Sequence, residues 1–332
     1  MKDEPYELIV CPASEGNPRN SEADVLPLKD GALLLAYTMF EGSGEDEGKA
    51  KIMGKISSDG GRHWSEPFLL QENIGNLNVM SASLLRLKNG RIALFFLKKD
   101  SLSNCYVYMK TSSDEGKTWN KPLPCYIEEP GYYILNNARV LQLSSGRIVV
   151  PVAYTKDVGK RYHFVSFCLY SDDEGRTWRR SRNVVDLDGM GADEPGVVEL
   201  KDGRLLMIIR TNLGRIYRAF SNDGGGTWEP AEPTFLVSPS APATIARIPK
   251  TGDLLIIWNN SADKRVPLTS AISKDEGESW INLKNLETGP GTYAYTSITF
   301  FNDRAILTYY EMLNGRISLK LKSLPISWFY DP

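Results

Sequence analysis
The sequence predicts an all-β fold, a six-bladed β-propeller formed by residues 1–332 as a single domain. Three observations carry this expectation. The pattern S-x-D-x-G-x-x-W occurs five times, at Ser57-Asp59-Gly61-Trp64, Ser112-Asp114-Gly116-Trp119, Ser171-Asp173-Gly175-Trp178, Ser221-Asp223-Gly225-Trp228 and Ser273-Asp275-Gly277-Trp280. Between its copies a second signal recurs: a tight turn at Gly31, Gly90, Gly146, Gly203 and Gly252, leading into a run of apolar and β-branched residues. No helical period competes with these strand patterns at any length.

Each element follows in order. Successive aspartates of the motif lie 55, 59, 50 and 52 residues apart, and self-similarity at such a period marks a repeat architecture. In each copy the Asp carboxylate is expected to accept hydrogen bonds from turn amides, and the Gly to take a conformation that a Cβ resists. The Trp is expected to pack between neighbouring sheets. These aspartates therefore read as structural, not catalytic. Leu28-Lys-Asp-Gly31 and Leu87-Lys-Asn-Gly90 are the clearest turns of the second type, and residues 301–310 form a degenerate sixth copy. Six inner hairpins and five outer motifs give six four-stranded blades of about 54 residues each. The last blade lacks an outer motif after residues 317–324. The N-terminal strand at Tyr6–Cys11 is expected to complete it and close the ring, which removes exposed strand edges.

Composition narrows the function. The chain is 42% hydrophobic and 24% charged, enough to bury a core and too apolar for disorder. Net charge is −2 with the basic residues scattered, which argues against a nucleic-acid partner or an anionic membrane surface. No apolar run approaches the ~18 residues of a membrane helix, and the polar start is no signal peptide. A soluble protein is expected, cytoplasmic as the sequence stands, or secreted or periplasmic if a leader has been removed. Cys11, Cys105, Cys125 and Cys168 lack a C-x-x-C spacing and read as reduced thiols, with a Cys105–Cys125 pair left open. His63 and His163, the only histidines, supply neither a metal cluster nor a Ser-His-Asp triad. No metal or organic cofactor is expected, and a loop-bound calcium ion stays open.

Propeller topology places the candidate site. Both kinds of turn lie on one face, so the starts of the inner strands converge on a funnel at the other. Arg19, Glu22, Asn137, Arg139, Glu194, Tyr293 and Tyr295 fall at those starts. Arg210 and Glu311 fall at the ends of second strands, and Glu45-Asp46-Glu47 and Arg265 on the following loops.

At these residues the chain resembles the sialidase superfamily, whose Asp-box repeats its five motif copies match. The segment Asp193-Glu194-Pro195-Gly196 through Ile209-Arg210 is similar to the family segment that bears a glutamate and an arginine of a triad. Lys264-Arg265 resembles the placement of the third arginine. Tyr295-Thr296-Ser297, followed by Tyr309-Tyr310-Glu311, resembles the tyrosine strand and the glutamate that orients an arginine. Arg19 stands where the first arginine would be. The resemblance implies a retaining exo-α-sialidase acting on a glycan, in which Tyr295 attacks, Glu194 takes its proton, and a carboxylic acid of the Glu45-Asp46-Glu47 loop, Asp46 ahead of Glu45 and Glu47, serves as acid and then base. It also implies that Arg19, Arg210 and Arg265 grip a sugar carboxylate, a task suited to planar guanidinium forks. A neutral tyrosine nucleophile avoids the repulsion that this carboxylate would exert on Asp or Glu. The match departs at Arg19, which precedes Asn20-Ser21-Glu22-Ala23-Asp24 instead of the family's Ile-Pro. Glu22 or Asp24 would compete for the arginines, so another acidic or neutral sugar stays open. So does a non-catalytic carbohydrate-binding propeller. Oligomeric state is not readable.

Overall fold
The computed structural model describes residues 4–160 and 162–331, and its regular structure is almost entirely strand. After β1 (Tyr6–Cys11), a first unit comprises β2 (Arg19–Pro27), β3 (Leu33–Glu41), β4 (Lys49–Ser57) and β5 (Phe68–Gln71). A second comprises β6 (Asn78–Arg86), β7 (Ile92–Ser101), β8 (Asn104–Ser112) and β9 (Leu123–Pro124). The third holds β10 (Tyr132–Ile134), β11 (Leu141–Gln142), β12 (Ile148–Thr155), β13 (Val165–Ser171) and β14 (Arg179–Arg180). The fourth is β15 (Asp193–Glu199), β16 (Leu205–Arg210), β17 (Arg215–Ser221) and β18 (Glu232–Val237). The fifth is β19 (Thr244–Arg247), β20 (Leu254–Asn259), β21 (Leu268–Ser273) and β22 (Ile281–Glu287). The last is β23 (Thr292–Phe301), β24 (Arg304–Leu313) and β25 (Arg316–Pro325). Among the described residues no helix is long and apolar enough to cross a membrane.

Within each unit the strands run up and down, each antiparallel to the strands it hydrogen-bonds in that unit. Burial explains their composition. The second strand of a unit is covered on both faces and reads as an unbroken apolar run, as in Leu254-Leu-Ile-Ile-Trp-Asn259, every residue of which is buried. Outermost strands face water: β18 and β22 are mostly exposed, and Phe235 is 93% accessible. Between units lie six apolar clusters among the described residues, each drawn mainly from two consecutive units. One of them joins the last unit to the first, packing Ile306, Leu319 and Leu321 against Val25, Leu33 and Leu35. There β1 pairs with β25, from Tyr6 opposite Ser323 to Cys11 opposite Leu319. Glu7 adds ion pairs to Lys320 (3.2 Å) and Lys322 (2.8 Å).

The five S-x-D-x-G-x-x-W segments form one turn. In every copy the Ser Oγ donates to the Asp Oδ1 at 2.8–3.0 Å. The Gly amide donates to the same Oγ at 2.8–2.9 Å. The glycines hold φ of 84–96°, a region a Cβ disfavours. Cys11, Cys105, Cys125 and Cys168 are buried and unpaired with one another.

One irregularity recurs on the inner strands. In β2, β6, β15 and β23 two residues oppose one on the partner strand, a β-bulge between Ser21 and Asp24, Met80 and Ser83, Asp193 and Gly196, and Ala294 and Ser297. The first extra residue always has positive φ: Glu22 (45°), Ser81 (64°), Glu194 (37°) and Tyr295 (58°). Left-handed backbone in non-glycine residues is uncommon and clusters at functional sites.

Candidate active site
Two of those bulges, at Glu194 and Tyr295, supply side chains to one region. A cavity of about 650 Å³ is lined by Arg19, Asp46, Tyr162, Asp193, Glu194, Arg210, Arg265, Tyr295 and Tyr310, with Lys264, Met312 and Ile317 among its other walls. The Tyr295 hydroxyl donates to Glu194 Oε1 at 3.1 Å. The other oxygen of Glu194 accepts from Arg210 NH1 at 2.5 Å. Arg265 donates to the Tyr310 hydroxyl at 2.8 Å and to the Ser240 carbonyl at 3.2 Å, and its guanidinium lies 5.6 Å from the Tyr295 ring centre. Arg210 reaches the same Ser240 through its Oγ, at 3.2 Å, so one serine braces two arginines. Across the cavity Arg19 rests on the Phe40 ring at 4.3 Å and donates to Asp46 Oδ1 at 2.7 Å.

These contacts set the protonation states. Burial, reinforced by the Glu194 charge, pushes the Tyr295 phenol well above its ordinary value, against the pull of Arg210 and Arg265. The resting phenol is therefore neutral. Neighbouring protein atoms partly desolvate the Asp46 carboxyl and work to raise it, although its side chain is 63% exposed, but Arg19, with Lys99 and Arg265, brings it below the usual range. Burial and the adjoining Glu194 charge lift Asp193 to about 7, despite Arg210 at 3.6 Å. Asp193 Oδ2 is buried without a hydrogen-bond partner among the described residues.

Of the residues singled out from sequence, Tyr295, Glu194, Asp46, Arg19, Arg210 and Arg265 line this cavity, and Glu22, Asp24, Asn137, Arg139 and Glu311 do not. Asp24 accepts from the Val25 and Leu84 amides at 2.8 and 2.7 Å and so ties β2 to β6. Asn137 donates to the carbonyls of Ala23 (2.7 Å) and Tyr295 (3.1 Å). Arg139 donates to those of Asn137 (3.0 Å) and Ala243 (2.8 Å). Buried backbone carbonyls need donors, and these side chains serve that need. Glu311 faces Lys320 at 3.7 Å and contacts no arginine among the described residues, because strand alternation turns Tyr310 and Met312 to the cavity. Tyr293 packs edge-on against Tyr309 away from the cavity. Glu22 lies beneath Arg19 and accepts from it and from Ser21. Asp193, Ser240 and Tyr310 were not foreseen as site residues, although strand alternation from Met312 points to Tyr310. Among the described residues no group of three or more His, Cys, Asp or Glu side chains is placed to hold a metal ion.

Residues 31–308 match the model of the BNR repeat-like domain. The chain belongs to this family, within the sialidase superfamily. Its relatives in the superfamily include a sialidase of Micromonospora viridifaciens, 26% identical over 95% of this chain and 52% of the relative. A sialidase of Paraclostridium sordellii is 29% identical over 62% of this chain and 56% of the relative. The chain thus spans about half the length of these curated relatives. A solved Dyadobacter fermentans protein of unknown function shares the fold at a TM-score of 0.80, with 22% identity, over 96% of this chain and 97% of that one. Trypanosoma rangeli sialidase bound to sialic acid does so at 0.79, with 16% identity, over 96% of this chain and 59% of that one.

Proposed function
We propose that this BNR-family chain is one six-bladed propeller domain acting as a retaining exo-glycosidase of sialidase type on a glycan. Six apolar clusters, one of them joining last unit to first, and the β1–β25 pairing support a closed ring. The observation that carries the activity is the Tyr295–Glu194–Arg210 chain of hydrogen bonds in a cavity walled by three arginines and Asp46.

In this reading the sugar carboxylate lies against the arginines, with the anomeric carbon toward Tyr295. The phenol oxygen attacks that carbon as its proton passes to Glu194, and Asp46 protonates the departing glycosidic oxygen. A glycosyl–Tyr295 bond replaces the glycosidic bond. In the second step Asp46 takes a proton from water, which attacks the same carbon. Tyr295 leaves and recovers its proton from Glu194, so the configuration is retained.

Asp46 must carry a proton before the first step, yet Arg19 holds it ionised. A substrate carboxylate arriving at Arg19 would compete for the guanidinium that pins Asp46. Weakening that pair raises the Asp46 pKa, so binding itself readies the acid.

Hydrolysis of an aryl α-sialoside tests the reading. Wild type should release the aryl alcohol, and Tyr295→Phe should lose about 10²–10⁴-fold in kcat. A silent wild type, or a Tyr295→Phe variant of full activity, rejects it.

A further inference from the structure
Each guanidinium has five N–H donors in a fixed fork, and counting them separates the three arginines. Arg210 uses two, Nε to Ser240 Oγ and NH1 to Glu194. Arg265 uses two, one to Tyr310 and one to the Ser240 carbonyl. Arg19 uses four: Nε to Ser21 Oγ at 2.9 Å, NH1 to the Gly44 carbonyl at 3.1 Å and to Asp46 at 2.7 Å, and NH2 to Glu22. Three donors each remain on Arg210 and Arg265, and one on Arg19, without a partner among the described residues.

The two anions on Arg19 differ in kind. The Asp46 side chain is 63% exposed and sits in a loop, free to yield to a ligand. Glu22 is 1% exposed, fixed by the β2 bulge at φ 45°, and its second oxygen accepts from Ser21. It is held in place beneath Arg19, behind the cavity wall.

We propose that Glu22 is a specificity-determining positioning residue, which occupies Arg19 from beneath so that an anionic sugar group is gripped chiefly by Arg210 and Arg265. This rests on the glycosidase reading of the cavity. Glu22 touches Arg19 and not the cavity itself, so it acts through that arginine. Wild type should then discriminate weakly between an acidic sugar and its uncharged derivative, and removing the Glu22 charge should sharpen the difference.

The test is calorimetric binding of the unsaturated sialic acid glycal, and of its methyl ester, to wild type and to Glu22→Gln. The aryl α-sialoside assay is run on both proteins. Glu22→Gln should bind the acid about tenfold more tightly, with the ester unchanged within about twofold, an asymmetry that a merely structural role would not produce. In turnover the gain should appear as a lower KM with little change in kcat. If Glu22→Gln melts too low for assay, Glu22→Asp, which withdraws the carboxylate by one methylene, should shift the acid in the same direction.

Acid affinity that is unchanged or weaker, while wild type hydrolyses the sialoside, overturns the Glu22 proposal and leaves the sialidase reading standing. A silent wild type beside a Glu22→Gln variant that binds the acid sustains the Glu22 proposal and rejects sialic acid as the natural ligand. Absence of binding and turnover in both proteins overturns both.

Discussion

Asp193 shows how one side chain can report on the candidate site through its own titration. Its carboxyl is buried, adjoins Glu194, and has one oxygen without a partner among the described residues. With a folded value of about 7 against an ordinary 3.8, the native state keeps a proton that the unfolded chain gives up. Stability from this residue therefore falls as pH rises from about 4 to about 7 and levels above that. Asp193→Asn removes the titration. The melting temperature of the variant minus that of wild type should grow more positive between pH 4.5 and pH 7.5, as followed by thermal unfolding. A difference that is flat with pH would show that Asp193 ionises in the fold as it does in water. At this scale sequence reading singled out Tyr295, Glu194 and Arg210, which line the cavity, and also Asp24, Asn137, Arg139 and Glu311, which do not. A polar residue near a strand start looks the same whether it faces a cavity or satisfies buried carbonyls, and only the register separates the two.

Among the elements, the Ser–Asp–Gly part of the repeated turn was legible because its hydrogen bonds are local in sequence. Ser221 illustrates its economy: one hydroxyl donates to Asp223 at 3.0 Å and accepts from the Gly225 amide at 2.9 Å. Ser221→Ala leaves the buried Gly225 amide without that acceptor and should cost about 1–3 kcal/mol in chemical unfolding. A cost under about 0.5 kcal/mol would mean that the turn stands on its glycine and Trp228 alone. The inner-strand bulges were not legible. Glu22, Ser81, Glu194 and Tyr295 span three residue types, and each departs from strand alternation by a single position. A pattern of two-residue period carries no mark of where it slips.

For the whole molecule the decisive contact is the one between its ends. β1 covers the edge of β25, buries Val10 and Cys11, and brings Glu7 to Lys320 and Lys322. Val10 alone contributes about 1.5–3 kcal/mol by burial, and the exposed ladder of β25 would be open to pairing with another chain. Deleting residues 1–11 should lower the melting temperature and produce concentration-dependent self-association on size-exclusion chromatography. A shortened chain that stays monomeric with an unchanged melting temperature would show that β1 is dispensable. The N-terminal partner was expected from sequence by arithmetic, since six inner hairpins stand against five outer turns.

The recurring bulge has a wider consequence. On either side of it the inner strands keep their two-residue rhythm and their claim on the core, while the odd residue belongs to neither face. Such a position works as a socket: a carboxylate, a phenol or a hydroxyl can be exchanged there without repacking the layers around it. Shape and chemistry are thus uncoupled within a single strand. Relatives with the same outline and the same chemistry are then expected to keep the residues aligned with Glu194 and Tyr295 and to differ first at those aligned with Glu22 and Ser81, and what fills these sockets is a better guide to the sugar handled than overall identity.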